Sequence, residues 1–253
     1  MKALVTGASS GIGRDFAREL SRRGFDLVLA ARRVPRMEEL ARKLNTHVSV
    51  VGVDLSRKDQ CYDLYRQVCG DRIDILINCA GFGVFGPFDE TDLERELNLI
   101  NVNIRAVHIL TKLFYRDFKK RGSGYILNVA SLAAFQPGPL LSSYYASKAY
   151  VLRLTQALAE ELRRDGGHVY IGALCPGPVR TEFDSVADVR FSVKGRSSEY
   201  VARYALDKMF ARKTVIVPGF QMKAALFGER FLPQAAVARI AYHMQRRKTG
   251  PKL

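Results

Sequence analysis

Lys148 stands four residues after Tyr144 and three after Tyr145 in the stretch "SSYYASKAY", residues 142–150. On a helix either spacing brings a phenol within reach of the ammonium. Such a pair can pass a proton to an oxygen that gains negative charge, as when a carbonyl accepts hydride. A free phenol titrates near ~10 and a free lysine slightly higher. An adjacent ammonium favours phenolate, so Lys148 is expected to lower the tyrosine's pKa towards the working pH, where acid–base transfer is efficient. Spacing alone leaves both tyrosines open.

A second group of residues suits phosphate. "TGASSGIG", Thr6 to Gly13, follows a strand-like run and opens a helical one. Glycines there permit a tight turn and close approach of a pyrophosphate to the free N–H groups at a helix N-terminus. Gly7, Ser9, Ser10, Gly11, Ile12 and Gly13 are the candidate contacts. The next strand ends in "LVLAARR", with Ala31 where a carboxylate for ribose hydroxyls would stand and Arg32 and Arg33 immediately after it. A guanidinium pairs with a 2′-phosphate that a carboxylate would repel. Asp26 lies at the wrong end of that strand to interfere. The expected cofactor is NADP(H), with Arg32 the main anchor and Ser10, Arg14 or Arg33 assisting.

The glycine spacing G-x-x-x-G-x-G, together with "VDL" (53–55), "NCAG" (78–81) and "PGPVRT" (176–181), resembles the short-chain dehydrogenase/reductase family over roughly residues 1–182. Cys79 departs from the family's N-N-A-G. The resemblance implies that Asp54 binds the adenine amino group with Leu55 flanking the ring. It assigns the strand-end turn to Asn78, Ala80 and Gly81, and the nicotinamide carboxamide and diphosphate to the Pro176, Gly177, Val179 and Thr181 segment. It also implies a serine after the fifth strand and a tyrosine about a dozen residues later in Y-x-x-x-K. Ser131 and Tyr144 are 144 − 131 = 13 residues apart, and Lys148 is four beyond Tyr144. Both rulers select Tyr144. By the same resemblance Lys148 holds the nicotinamide ribose and Ser131 donates to the substrate oxygen, a bond that strengthens as charge develops there. Within "NLINVNI" the family's V-N-apolar pattern picks Asn103 over Asn98 and Asn101 for a water-mediated proton relay. Tyr145, about 100° around the helix, is left to packing or a subunit contact.

The elements that must position these groups alternate in type. Apolar runs "KALVT", "DLVLAA", "HVSVVGVDL", "DILIN", "YILNVAS" and "VYIGALCPG" are separated by helical patterns at 12–24, 35–44, 57–69, 91–120 and 142–165. Strands apolar on both faces between helices predict an α/β fold, a doubly wound parallel sheet of Rossmann type in one domain, 1–253. Residues 182–253 form its variable substrate-binding and C-terminal region, with a polar break at 184–198, a helix at 198–211, the strand "TVIVPG" and a helical segment near 233–248. Ala133, Phe135, Pro137, Leu140, Leu141, Phe183 and Phe191 are the expected pocket walls, pointing to a hydrophobic carbonyl or secondary alcohol as substrate. The stretch "EYVARYALDKMFARKTVIVPG" resembles acyl-chain and steroid ketoreductases.

Composition bounds the remaining classes. A hydrophobic fraction of 47% and a charged fraction of 26% over 253 residues exclude disordered and fibrous chains. Net charge is +15, and from Arg212 onward nine basic residues face one acidic residue, 9 − 1 = +8. No nucleic-acid module accompanies that charge, so no nucleic-acid partner is expected. Val237, Ile240, Ala241 and Met244 recur at helical spacing among the C-terminal basic residues, a stripe suited to docking on its own domain or to peripheral contact with an anionic membrane. Cys61, Cys69, Cys79 and Cys175 have no metal-site spacing, so no metal is expected, and reduced thiols fit a cytoplasmic location. The strand-like run begins at once and no run approaches a membrane span, so neither a leader peptide nor a spanning helix is expected. The resemblance implies self-association through the helices at 91–120 and 142–165, as a homodimer or homotetramer. The rival class is a cofactor-binding sensor without turnover, which relatives lacking the tyrosine or lysine exemplify.

Overall fold

A computed structural model of the chain describes residues 1–183, 195–229 and 231–246. The first half runs β1 (Lys2–Thr6), α1 (Gly11–Arg22), β2 (Asp26–Ala31), α2 (Val34–Ala41), β3 (Val48–Gly52), α3 (Lys58–Val68), β4 (Ile73–Asn78) and α4 (Leu93–Ile100). A π-helical turn, Asn101–Ala106, joins α4 to α5 (Val107–Arg121), followed by β5 (Ser123–Val129) and a 3-10 turn, Leu132–Phe135. Then come α6 (Ser142–Arg164), β6 (His168–Leu174), β7 (Val179–Arg180), β8 (Arg196–Ser197), α7 (Ser198–Phe210), β9 (Val215–Ile216), α8 (Phe220–Glu229) and α9 (Gln234–Arg246).

Seven parallel strands form one sheet in the order β3-β2-β1-β4-β5-β6-β9. Side-chain alternation explains why the strands carry no polar face. In β1, Ala3 and Val5 pack with Phe16, Leu20, Met37 and Leu206 from α1, α2 and α7. Leu4 between them packs with Leu64, Phe114, Phe118 and Leu162 from α3, α5 and α6 on the other side. Both faces are covered, as a parallel sheet requires. The strand order reverses between β1 and β4, which opens a crevice at the carboxyl ends of the strands.

Buried Asp15 on α1 fixes this end of the molecule. It accepts from Arg14 Nε at 3.1 Å, from Arg18 at 3.1 Å and from the Ser198 hydroxyl at 2.5 Å, tying α1 to the start of α7. Two elements differ from the sequence expectation. The helix expected at 91–120 is interrupted by the π turn, and α8 was not expected at all. The α8 sequence carries no acidic residue in its first turn and no basic one in its last, and its apolar residues do not gather on one face.

Candidate active site

Gly7 and Gly11 at the end of β1 have φ of +67° and +54°, a region open to glycine at little cost. A Cβ on Gly13 would stand 2.3 Å from the Gly7 carbonyl oxygen, so the loop closes onto α1 only without one. The Thr6 hydroxyl accepts from the backbone N–H of Cys79 at 3.0 Å and of Ala80 at 3.2 Å, drawing the "NCAG" turn against the glycine loop. Ser10, at the N-cap of α1, makes no side-chain cap. Its hydroxyl accepts from Arg33 at 2.7 Å instead, so the helix N-terminus keeps its free N–H groups. Arg33 also donates to the Ser9 hydroxyl at 3.2 Å and to Glu182 at 2.7 Å, and Arg36 pairs with Glu182 at 2.6 Å.

A cavity of about 1070 Å³ runs along the strand ends from Arg32, Arg33 and Asp54, past the glycine loop, to Tyr144, and out to α8 and α9. Its wall includes Gly7, Ser9, Ser10, Gly11, Ile12, Gly13, Leu55, Ala80, Gly81, Pro176, Gly177, Val179 and Thr181. The glycine cradle and the length of the cavity fit a dinucleotide stretched from the arginines to the tyrosine. Ala31 lines it at the position where a carboxylate for the ribose hydroxyls would stand.

Two residues expected at the cofactor, Asn78 and Arg14, lie off this wall. Asn78 is not on this wall: it shares strand parity with Leu76, points towards α5, and donates to Thr111 at 3.1 Å and to Asn128 at 2.9 Å. Its Oδ1 has no partner among the described residues. Arg14 is held by Asp15 and does not face the cavity. Arg32 lines the cavity and makes no ion pair among the described residues, while Arg33 carries the contacts to both loop serines.

The other end of the cavity is built by β5 and α6. Ser131 follows β5 and its hydroxyl accepts from the Ala133 N–H at 3.1 Å. Tyr144 and Lys148 lie one turn apart on α6, with Nζ 5.7 Å from the centre of the phenol ring. Lys148 is 5% exposed and donates to the Val129 carbonyl at 2.8 Å. Burial drives its pKa down to about 8. Burial also pushes the Tyr144 phenol up to about 12, opposed by a hydrogen bond with Ser131. The expected lowering of the phenol by Lys148 does not appear: burial dominates, and the opposing influence is the Ser131 hydrogen bond.

Asn103 sits in the π turn, fully buried. Its Nδ2 donates to the Phe82 carbonyl at 2.9 Å and to Ser147 at 3.0 Å, and its Oδ1 accepts from the Phe82 N–H at 3.1 Å. Ser147 in turn donates to the Tyr144 carbonyl at 2.7 Å. Asn103 is thus not on the cavity wall and braces α6 behind Tyr144. A Cβ on Gly81 would stand 3.0 Å from Asn103 Oδ1 and 3.2 Å from Lys148 Nζ, so a side chain there would crowd the point where these groups converge.

Tyr145 also lines the cavity, with different partners. Its ring packs on Gly138, and its hydroxyl accepts from Gln245 on α9 at 2.6 Å. Of the expected substrate walls, Ala133, Leu141 and Phe183 line the cavity, Phe183 with its ring 5.2 Å from that of Tyr144. Phe135 instead packs into the core beside α6, and Pro137 and Leu140 do not line the cavity. Phe191 lies outside the described residues. The apolar wall is extended by Met222 and Leu226 of α8 and Val237, Ile240, Ala241 and Met244 of α9. Val237 and Ala241 are 3% and 5% exposed and dock on their own chain, whereas Ile240 and Met244 of the same stripe are half exposed. Helical periodicity signalled α9, whereas nothing in the sequence signalled α8.

A doubly wound parallel sheet with a glycine loop at its switch point defines a dinucleotide-binding α/β protein. Residues 1–188 match the short chain dehydrogenase family profile. An uncharacterized oxidoreductase of Staphylococcus epidermidis is 35% identical over 188 residues, 74% of this chain and 81% of that protein. Mouse 17-beta-hydroxysteroid dehydrogenase type 3 is 37% identical over 186 residues, 71% of this chain and 60% of that one. A short-chain dehydrogenase from Sphingobium yanoikuyae, solved in complex with NADPH, superposes with a TM-score of 0.82 at 33% identity, covering 92% of this chain and 97% of its own. The chain belongs to the short-chain dehydrogenase/reductase family and is an oxidoreductase of that family.

Proposed function

We propose that the protein is an NADP(H)-dependent reductase of a hydrophobic carbonyl compound, or in reverse a dehydrogenase of the secondary alcohol, with Tyr144 as general acid/base. One observation carries this reading: Ser131, Tyr144 and Lys148 stand where the glycine-loop half of one cavity meets its apolar half. Bound along the first half, a reduced nicotinamide supplies hydride to the carbonyl carbon. Ser131 donates to the carbonyl oxygen, and the neutral Tyr144 phenol is poised to give that oxygen its proton. Lys148 positions the ribose end of the cofactor. Asn103 holds α6 and the Phe82 turn in register, and its place in a water relay rests on family resemblance. Asp54, Leu55, Ala80, Gly81, Pro176, Gly177, Val179 and Thr181 complete the cofactor walls.

NADP(H) rather than NAD(H) is supported by Ala31, by the cations Arg32 and Arg33, and by the Ser9 and Ser10 hydroxyls around them. The NADPH-bound Sphingobium relative agrees with this choice. A hydrophobic substrate is supported by the α8–α9 wall and by the steroid named in the mouse relative. Turnover rather than cofactor sensing is supported by the retention of Ser131, Tyr144 and Lys148 together. Oxidation of NADPH against a panel of ketones and aldehydes, with NADP and NAD titrated on wild type and Arg32→Ala, tests the reading. Equal affinity for the two cofactors in wild type, or no turnover across the panel, contradicts it.

The assembly belongs to the same proposal. Leu97, Ile100 and Tyr150 are exposed on the helices expected to self-associate, in keeping with a cytoplasmic homodimer or homotetramer. No helix among the described residues is long and apolar enough to cross a membrane. Phe220, Phe227 and Phe231, exposed by 83%, 62% and 74%, stand among the C-terminal cations, an arrangement suited to peripheral contact with an anionic bilayer. Pelleting with anionic but not neutral vesicles is the expected result for such contact.

A further inference from the structure

Residues 181–183 touch the glycine loop, Arg33 and Tyr144 along the cavity. The Thr181 side chain lies against Gly11, 3.1 Å from where a Cβ would stand on that loop glycine. Glu182 pairs with Arg33 at 2.7 Å and with Arg36 at 2.6 Å. The Phe183 ring lies 5.2 Å from that of Tyr144. Arg33 spends its donors on Ser9, Ser10 and Glu182, and Glu182 itself lines the cavity. A carboxylate thus engages the guanidinium assigned above to the cofactor's 2′-phosphate.

We propose that Glu182 is an internal competitor for the 2′-phosphate site: a phosphate there takes Arg33 from Glu182 and loosens the 181–183 segment. The inference rests on the NADP(H) reading. Two anions that share one guanidinium repel each other, so a phosphate dianion and the Glu182 carboxylate weaken each other's hold on Arg33. The dianion wins because it brings more charge and has Arg32, Ser9 and Ser10 as additional partners. Glu182 therefore lowers affinity for 2′-phosphorylated ligands and leaves ligands without that group untouched. It also couples arrival of the cofactor's adenosine end to the segment that carries Phe183 onto Tyr144. Both Glu182 pairs are substantially exposed, and such pairs are individually weak, so the expected gain on removing the carboxylate is about three- to tenfold.

Calorimetric binding of adenosine 2′,5′-bisphosphate, 5′-AMP, NADPH and NADH to wild type and Glu182→Gln tests this without turnover. The expected result is tighter binding of the bisphosphate and NADPH by the variant, with 5′-AMP and NADH unchanged. In wild type, hydrogen exchange across 181–183 is expected to rise with the bisphosphate and not with 5′-AMP. Wild-type preference for the 2′-phosphate with no gain, or a loss, in Glu182→Gln overturns the inference alone, as does unchanged exchange. Equal wild-type binding of NADPH and NADH defeats the NADP(H) reading and the inference with it.

Discussion

Replacing Tyr145 by phenylalanine removes one hydroxyl and separates the two tyrosines experimentally. That hydroxyl accepts from Gln245 Nε2 at 2.6 Å, and Gln245 on α9 is 2% exposed. The ring, packed on Gly138, keeps its place because nothing in that contact uses the hydroxyl. The loss is this neutral hydrogen bond together with one from Gln136 to the same hydroxyl; the Gln245 bond alone is worth about 1 kcal/mol net, or about a fivefold shift in a local opening equilibrium of α9. The shift falls on α9, whose Val237 and Ala241 close the substrate end of the cavity. Amide exchange across 234–246 is therefore expected to accelerate about fivefold in Tyr145→Phe, with exchange in the β-sheet unchanged. Turnover is expected to remain within about threefold of wild type, because the hydroxyl reaches neither Ser131 nor Lys148. Loss of turnover by two orders of magnitude refutes the choice of Tyr144. Unchanged α9 exchange refutes the assignment of Tyr145 as its anchor.

Two further outcomes follow from burial. Lys148 titrates near 8 where a free lysine titrates at 10.5, so its positive charge is lost as pH rises through about 8. In reduction, kcat/KM for NADPH is expected to fall above pH 8, and Lys148→Met is expected to lack that inflection. Between about 8 and 10.5 the unfolded chain holds more protons at this residue than the folded one, so its contribution to stability rises with pH there. Activity lost above pH 8 with the fold retained, followed by circular dichroism, thus marks titration of the site. Among the four thiols, Cys69 is exposed, while burial raises Cys61 to about 11 and Cys79 and Cys175 to about 12. An aromatic disulfide reagent at pH 8 is expected to titrate one thiol rapidly in the native protein and four after denaturation. A second rapid thiol contradicts the raised titration of the other three.

The sheet and the glycine loop were legible because their signals are local. Apolar runs without alternation announce buried parallel strands, and the glycine, "NCAG" and Y-x-x-x-K spacings each fall within one turn or one helix. What escaped was set by contacts distant in sequence or by hydrogen-bond pattern. Glu182 and Arg33 are 149 residues apart, and no periodicity links them. The π turn at Asn103 depends on the backbone register imposed by the Phe82 turn and Ser147, which a helical hydrophobic pattern does not encode. The inward turn of Asn78 was available from strand parity with Leu76, but motif resemblance pointed the other way. The raised phenol of Tyr144 follows from burial depth, which becomes visible only once α6 is packed against β5.

The central claim is that Tyr144 supplies the proton to the reducing carbonyl. It is tested most directly by NADPH oxidation with a reducible ketone, measured for wild type and Tyr144→Phe beside NADPH affinity. A positioned general acid contributes about a hundredfold or more, so kcat is expected to fall by at least that factor while NADPH affinity changes little. Retained turnover in Tyr144→Phe, with NADPH still bound, contradicts the account.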